Sequence, residues 1–437
     1  MLKDSSFIHE MRGPYLYNEM VKNDMRIFVE DLIMSKLALK GGNPLRTEKF
    51  PKWPQYDERE LAALERVLKS GMWGTLGSEA DKFAKAYAAY QHANYGVAVT
   101  NGTVTLEIIL RALEIGYGDE VIIPPYTFNA TASAVLLQGA TPVFVDIEED
   151  TFNIDPEKLE KIITSRTKAI IPVHVGGRAC NMDRIMEIAN RHSLYVIEDA
   201  AHANGSEWKG KRLGSIGHAG SFSFQASKNL TSGEGGIITA NDTKIYEKCW
   251  AIHHCGRDMH SKIWYEHPYI GTNARMSEWQ AAILNTQLEK LDEQTDKRNE
   301  NASYLTALLK EIPCIEVLKQ DERITRNSYH LFIFKYKNEN CKGLDREVFM
   351  KALSTEGIPC APGYVCLYKQ PLFNTPEFKR ITGSNINYGT LNLEKAEKLS
   401  GREGVWFTQN MLLAEKKDMD QIADAITKIY ENADDLI

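Results

Sequence analysis

The stretch Ser221-Phe-Ser-Phe-Gln-Ala-Ser-Lys228-Asn-Leu-Thr-Ser-Gly-Glu-Gly-Gly236 decides how the rest of the chain is read. Bulky apolar residues open it. A single lysine follows among small hydroxyl residues and glycines. A lysine that works as a nucleophile must spend time neutral, so it needs a pocket poor in water or a neighbouring positive charge. Upstream, Tyr195-Val-Ile-Glu-Asp199 is a short apolar strand that ends in acid. Lys228 and Asp199 are therefore the first pair of candidate catalytic residues.

Between and before them, strand-like and helix-like segments alternate. Tyr95-Gly-Val-Ala-Val-Thr-Asn101 is a strand, and Gly102-Thr103 turns directly into a helix over Val104 to Leu113. The pattern continues as strand Glu120–Ile123, helix Asn129–Gln138, strand Pro142–Asp146, helix Pro156–Thr164, strand Lys168–Val173, helix Met182–His192 and strand Leu194–Ile197. Apolar strands separated by helices predict a mostly parallel sheet with helices on both faces. Ligands in such sheets bind beyond the carboxyl ends of the strands. Asn101-Gly-Thr, Tyr126-Thr-Phe128, Val173-His174 and Asp199-Ala-Ala-His202 all fall there. A glycine turn running into a helix N-terminus with a hydroxyl makes a phosphate seat, because free N–H groups and the positive end of the helix dipole face the anion. The turn lacks a G-x-G-x-x-G or a G-K-[ST], so dinucleotide and P-loop readings are poor.

An aldehyde-bearing cofactor with a phosphate and an aromatic ring suits these parts. Lys228 would hold pyridoxal 5'-phosphate as a Schiff base, and Asp199 would keep its ring nitrogen protonated, which makes the ring an electron sink. Phe128 stands where an aromatic side chain stacks on a planar ring. His174 and His202 stand within reach of a ligand, although a structural histidine is the commoner outcome for either. His253-His254-Cys255 invites a metal, but no further ligand follows at a suitable interval, and no metal site is expected.

At 437 residues, 43% hydrophobic and 25% charged, the composition is that of a globular protein of more than one domain. A net charge of -7 argues against a nucleic-acid surface. Seven scattered cysteines read as reduced thiols, and no apolar run is long enough to span a bilayer or serve as a secretory signal, so the cytoplasm is the expected location. Residues 1–34 read as an N-terminal extension of one or two amphipathic helices, a disordered leader or an upstream start being the alternative. Asp57 and Glu60 form a capping box for a helix whose apolar face is Leu61, Leu64, Val67 and Leu68. A second helix follows around Glu79 to Tyr90. Residues 35–78 are expected to be the N-terminal part of a small domain, 79–310 the large cofactor-binding domain and 311–437 the C-terminal small domain. Strand Ile237–Ala240 closes the run of the large sheet, residues 257–272 form a loop, and a long helix from Glu278 to about Leu309 links the domains. A strand over Tyr329–Tyr336, a helix over Arg346–Glu356 and a terminal helix from about Lys417 to Glu431 make the small domain α+β.

In order, the segments Ala98–Glu107, Asp119–Phe128, Ala169–His174, Glu198–Ala203, Ser221–Gly236 and Gly271–Met276 resemble the DegT/DnrJ/EryC1/StrS family of pyridoxal-phosphate sugar and cyclitol aminotransferases, near its scyllo-inosose aminotransferase and aminohydroxybenzoate synthase branches. The resemblance runs from about Leu37 to the C-terminus. It implies fold type I: an α/β protein with a mostly parallel sheet in a large three-layer domain and a smaller α+β domain. It implies that Lys228 bonds the cofactor and moves the proton, that Asp199 pairs with the ring nitrogen, that Phe128 stacks on the ring, and that Gly102, Thr103 and Ser223 hold the phosphate. It implies that Asn273 reaches the phosphate bound to a neighbouring subunit of a homodimer. Most members have glutamine at the position of His202, where it bonds the cofactor's phenolic oxygen; a histidine N–H can do the same. The implied reaction moves an amino group from L-glutamine or L-glutamate to a keto-cyclitol or a keto-sugar. An aminohydroxybenzoate-synthase-like dehydration on the same cofactor and a catalytically silent regulatory paralogue are the competing expectations.

Overall fold

The structure is a computed structural model that describes residues 36–437 except Leu76 and Trp264. The extension expected over residues 1–34 lies outside the described residues. In chain order the principal elements are α1 (Glu58–Ser70), α2 (Glu79–Tyr90), β1 (Tyr95–Val99), α3 (Gly102–Ala112), β2 (Glu120–Ile123), α4 (Ala130–Leu137), β3 (Thr141–Phe144), β4 (Thr167–Ile170), α5 (Met182–His192) and β5 (Tyr195–Asp199). A two-stranded hairpin of β6 (Glu207–Trp208) and β7 (Lys211–Arg212) precedes β8 (Ala219–Ser223), β9 (Gly236–Ala240) and α6 (Thr243–His253). Then come α7 (Glu278–Leu309), β10 (Ile315–Val317), β11 (Leu331–Tyr336), α8 (Arg346–Thr355), α9 (Pro376–Thr382), α10 (Glu394–Lys398), β12 (Gly404–Thr408) and α11 (Lys416–Glu431).

Seven strands form one sheet in the order β1-β9-β8-β5-β4-β2-β3. All pair in parallel except around β9, which runs antiparallel to both β1 and β8. Alternate residues of each strand feed two cores, as a period of two requires. Val97, Val99, Val121, Ile123 and Ile197 pack with α3, α4 and α6 on one face. Ala98, Ile122, Ile170, Val196 and Phe222 pack with α2, α5 and the first half of α7 on the other. The result is an α/β three-layer sandwich. A second sheet, β10-β11-β12, is antiparallel and shares a core with α8, α11 and the second half of α7.

The strand from Gly236 is the last of the large sheet in chain order, as expected, and two other local expectations change. In space β9 inserts between β1 and β8. Gly236 makes this possible, because a Cβ there would sit 2.5 Å from the backbone carbon of Asn101. The helix expected over Pro156–Thr164 is a single 3₁₀ turn, Pro156–Lys158. Thr164 N–H donates to the Thr167 hydroxyl at 2.9 Å, a local bond that competes with a further helical turn. In α1 the capping box of Asp57 and Glu60 is present, but the buried face is Ala63 and Val67, packed on Ala282 of α7. Leu61 and Leu68 are 51% and 56% exposed.

The chain from Leu37 to Phe50 packs into the core of the smaller sheet. Its backbone N–H groups at Ala38 and Leu45 donate to the buried Glu356 carboxylate at 2.8 and 3.0 Å. Lys428 of α11 reaches the same carboxylate at 3.0 Å, and Arg46 pairs with Asp418 on that helix.

Candidate active site

A cleft of about 960 Å³ opens at the carboxyl ends of the parallel strands. Gly102, Thr103, Phe128, Asp199, His202, Ser223 and Lys228 all line it. They come from segments up to about 125 residues apart, and the sheet topology alone brings them together.

At one end of the cleft α3 presents its N-terminus. Asn101 is the N-cap and its side chain accepts from Val104 N–H at 3.0 Å. This fixes the first turn while leaving the N–H groups of Gly102 and Thr103 for a ligand. Gly102 approaches Ser223 so closely that a Cβ would lie 2.7 Å from that of the serine. The glycine is therefore required here by space.

Asp199, 5% exposed, ends β5. Its Oδ2 accepts from the Thr131 hydroxyl at 2.8 Å and its Oδ1 from Ala201 N–H at 3.3 Å. Thr127 bonds Thr131 in turn at 3.0 Å. Burial raises the Asp199 pKa above its ordinary value, against smaller downward pulls from Thr131, Ala201, Lys228 and His174. Such a carboxylate gains most when a cationic or N–H-bearing group is placed opposite it. Lys228 follows β8 after a turn of four residues. The residue is half-buried, but its amine is desolvated by the cleft walls, which brings its pKa down to about 8 against a weaker opposing effect of Asp199. That is the condition a nucleophilic lysine needs at neutral pH. The ring of Phe128 is 62% exposed, offering its face to whatever fills the cleft.

His202 and His174, alike in sequence, separate in the structure. His174 is fully buried beneath the cleft: its Nδ1 accepts from Cys180 N–H at 3.1 Å, and its Nε2 meets Glu198 at 3.1 Å. Glu198 also accepts from the N–H groups of Gly214, Ile216 and Gly217 at 2.7, 2.8 and 2.6 Å. This pair is structural. His202 Nδ1 accepts from Gly176 N–H at 3.2 Å, so its proton sits on Nε2, on the side of Tyr364 at 3.3 Å. Burial, then the nearby Lys228 and His330, push its pKa well below the usual histidine range, so it enters chemistry as a neutral N–H donor.

Asn273 does not line this cleft. It is exposed and pairs by a backbone bridge with His254. Among the described residues no cluster of three or more His, Cys, Asp or Glu could hold a metal. His253 and His254 instead contact Trp250 O, Arg257 and Arg275, and burial lowers both pKa values to about 4. No helix among the described residues is long and apolar enough to cross a membrane.

Several lining residues had no signal in the sequence. Thr131 supports Asp199 from another strand-to-helix turn. His330 packs against His202 with ring centroids 4.2 Å apart and the rings tilted by 37°, and it bonds Asn229 at 3.0 Å. Trp53 donates to the Lys228 carbonyl at 3.1 Å, and Gln409 enters after β12. Only the spacing Thr127–Thr131, one helical turn, offered any hint.

Residues 54–403 match the DegT/DnrJ/EryC1/StrS aminotransferase family. The chain belongs to that family. Among its relatives, a protein of Streptoalloteichus tenebrarius provisionally named L-glutamine:3-amino-2,3-dideoxy-scyllo-inosose aminotransferase is 37% identical, over 92% of this chain and 99% of the relative. The crystal structure of 3-amino-5-hydroxybenzoic acid synthase superposes with a TM-score of 0.81 at 33% identity, covering 89% of this chain and all of the other. NtdA from Bacillus subtilis, solved with the bound cofactor PMP, gives a TM-score of 0.77 at 29% identity over 88% of this chain and 86% of its own. As a member of the DegT/DnrJ/EryC1/StrS family with fold type I architecture, this chain is a pyridoxal-phosphate-dependent aminotransferase. The cleft fits that cofactor: a spaced-out helix N-terminus for a phosphate, a buried carboxylate for a ring nitrogen and a desolvated lysine amine for an aldehyde.

Proposed function

We propose that this chain transfers the amino group of L-glutamine or L-glutamate to a keto-cyclitol or a related keto-sugar. One observation carries the reading: a single cleft contains Lys228, Asp199 and the unpaired N–H groups at the start of α3. The glutamine-dependent inosose relative supports the choice of substrates. In this reading Gly102, Thr103 and Ser223 hold the phosphate of pyridoxal 5'-phosphate, Phe128 covers one ring face, and Asp199 takes the ring N–H. His202 gives its Nε2–H to the phenolic oxygen, and Lys228 holds the cofactor covalently through Nζ. Bound there, the cofactor supplies an aldehyde that captures amines and a ring that accepts the electrons of a broken Cα–H bond.

The protein's own part is proton handling. Once the incoming amine has displaced Lys228, the freed lysine amine, its pKa brought down to about 8, would take the proton from the donor's Cα and return it to the carbon on the far side of the donor's nitrogen. The second half runs the same transfer in reverse on the keto acceptor. Thr131 and Ala201 keep Asp199 in position throughout.

The functional unit we propose is a cytoplasmic homodimer. Asn273, exposed and outside its own cleft, then serves the partner's phosphate. Residues 79–310 form the large domain, with 35–78 and 311–437 around the smaller sheet and 1–34 as an extension. The experiment is spectroscopic: L-glutamine should bleach the near-visible absorbance of the loaded protein, and a keto-cyclitol should restore it and emerge aminated. A protein that bleaches with no amino acid would end this reading. The likeness to 3-amino-5-hydroxybenzoic acid synthase favours a second reading, dehydration and aromatisation of an amino-substituted ring. Water loss without an amino donor would identify it.

A further inference from the structure

A charge with no counter-ion among the described residues lies behind the cleft. Arg298, on α7, is wholly buried. Among the described residues it pairs with no carboxylate, and its Nη1 has no hydrogen-bond partner. Its Nε and Nη2 both donate to Gln409 Oε1, at 3.0 and 2.5 Å. Its Cζ lies 5.4 Å from the ring centre of Trp53, whose indole N–H donates to the Lys228 carbonyl at 3.1 Å. The guanidinium therefore sits one side chain away from the lysine loop.

This arrangement orients Gln409. A guanidinium has five donors and no acceptor, so the atom of Gln409 facing it must be the oxygen. The amide NH₂ is then turned away from Arg298. Gln409 is only 2% exposed, yet it lines the cleft, and no described residue accepts from its Nε2. A buried charge without a counter-ion is costly, and so is an unmade hydrogen bond. An anionic oxygen brought by a ligand to Gln409 would use its free Nε2 and place a negative charge near the guanidinium.

We propose that Gln409, polarised by Arg298 behind it, binds the α-carboxylate of the amino-acid donor and sets the enzyme's preference for donors that carry one. The inference rests on the aminotransferase reading above. The charged residues lining the cleft are Glu107, Asp199, Glu234 and Lys228, and Lys228 is committed to the reacting amine. An incoming carboxylate is repelled by the acids and finds its remaining positive charge at the Arg298 end. A ring acceptor bearing only hydroxyl and keto groups has no comparable reason to bind there. Gln409 is thus a specificity residue that touches substrate, and Arg298 is a positioning residue that acts through it.

The test uses the cofactor-loaded protein and reads the donor half-reaction alone, by bleaching of the cofactor absorbance. The probes are L-glutamine and L-glutaminol, in which a hydroxymethyl group replaces the carboxylate. In Gln409→Leu the apparent Kd for glutamine rises roughly 10- to 100-fold, the scale of a lost hydrogen bond to a charged group, while that for glutaminol changes less than threefold. Gln409→Glu, which pairs with Arg298 and sets an acid before the donor, weakens glutamine further. Arg298→Met, close in volume and able to fold without a buried charge, moves glutamine in the same direction as Gln409→Leu. Cofactor loading, measured by absorbance, stays intact in Gln409→Leu. Equal loss for both probes, or no loss for either, overturns the inference. A wild-type protein that bleaches with neither probe overturns the aminotransferase reading beneath it.

Discussion

Lys228 shows how one side chain is prepared by its surroundings. Desolvation lowers its amine to about 8, so it exchanges a proton near neutral pH, whereas an exposed lysine stays charged. Lys228→Ala should lower the transamination rate by at least about 10³-fold, read as product amine per active site, since both covalent capture and the proton carrier are lost. The same shift has a consequence for stability. The unfolded chain keeps this proton up to about 10.5, while the folded apoprotein releases it near 8, so in that window the unfolded state binds more protons and stability rises with pH. Lys228→Met should therefore raise the Tm of the apoprotein at pH 7, and the gain should fade above pH 10.5. A Tm difference independent of pH would show that the amine is not desolvated. His202 contributes differently: its tautomer is set by Gly176 N–H, and it stays neutral across the working range.

At the scale of elements, the site depends on how helix and strand ends are finished. The first turn of α3 is closed by Asn101 and brought against β8 by the absence of a side chain at Gly102. Asn101→Ala should cost about 1 kcal/mol of stability and weaken cofactor retention. Gly102→Ala should abolish retention while the protein still folds, because the new Cβ forces Ser223 out of the phosphate seat; dialysis followed by absorbance measures both. The turn leading into β8 is held by Glu198, which accepts three backbone N–H bonds and meets His174. Glu198→Gln turns an NH₂ group towards those donors. A loss of about 1–3 kcal/mol in denaturant unfolding is expected, with the slope of the transition unchanged.

Over the whole molecule, the two sheets are joined by α7, whose first half lies on the large sheet and whose second half packs with the small one. The segment from Leu37 to Arg46 straps the small sheet through Glu356, which accepts from two backbone N–H groups and from Lys428. Removing one partner of a buried charged network is expensive, so Glu356→Ala should destabilise the protein by roughly 3–5 kcal/mol. Loosening this end should also raise the apparent Kd for the donor, since Gln409 belongs to the same unit; an unchanged Kd would show that the strap is not coupled to the cleft.

The α/β class, the strand ends that face the cleft and the presence of Lys228 and Asp199 at those ends were legible in the sequence, because apolar period, glycine turns and capping residues act within a few positions of one another. Seven of the eight site residues read from it line the cleft. The insertion of β9 between β1 and β8, the burial of Ala63 in preference to Leu61, the parting of His174 from His202, and the meeting of Arg298 with Gln409 were decided only by tertiary structure. Each depends on which surface arrives opposite a residue, and partners brought up by the fold, some more than a hundred positions away, leave no local trace in the chain.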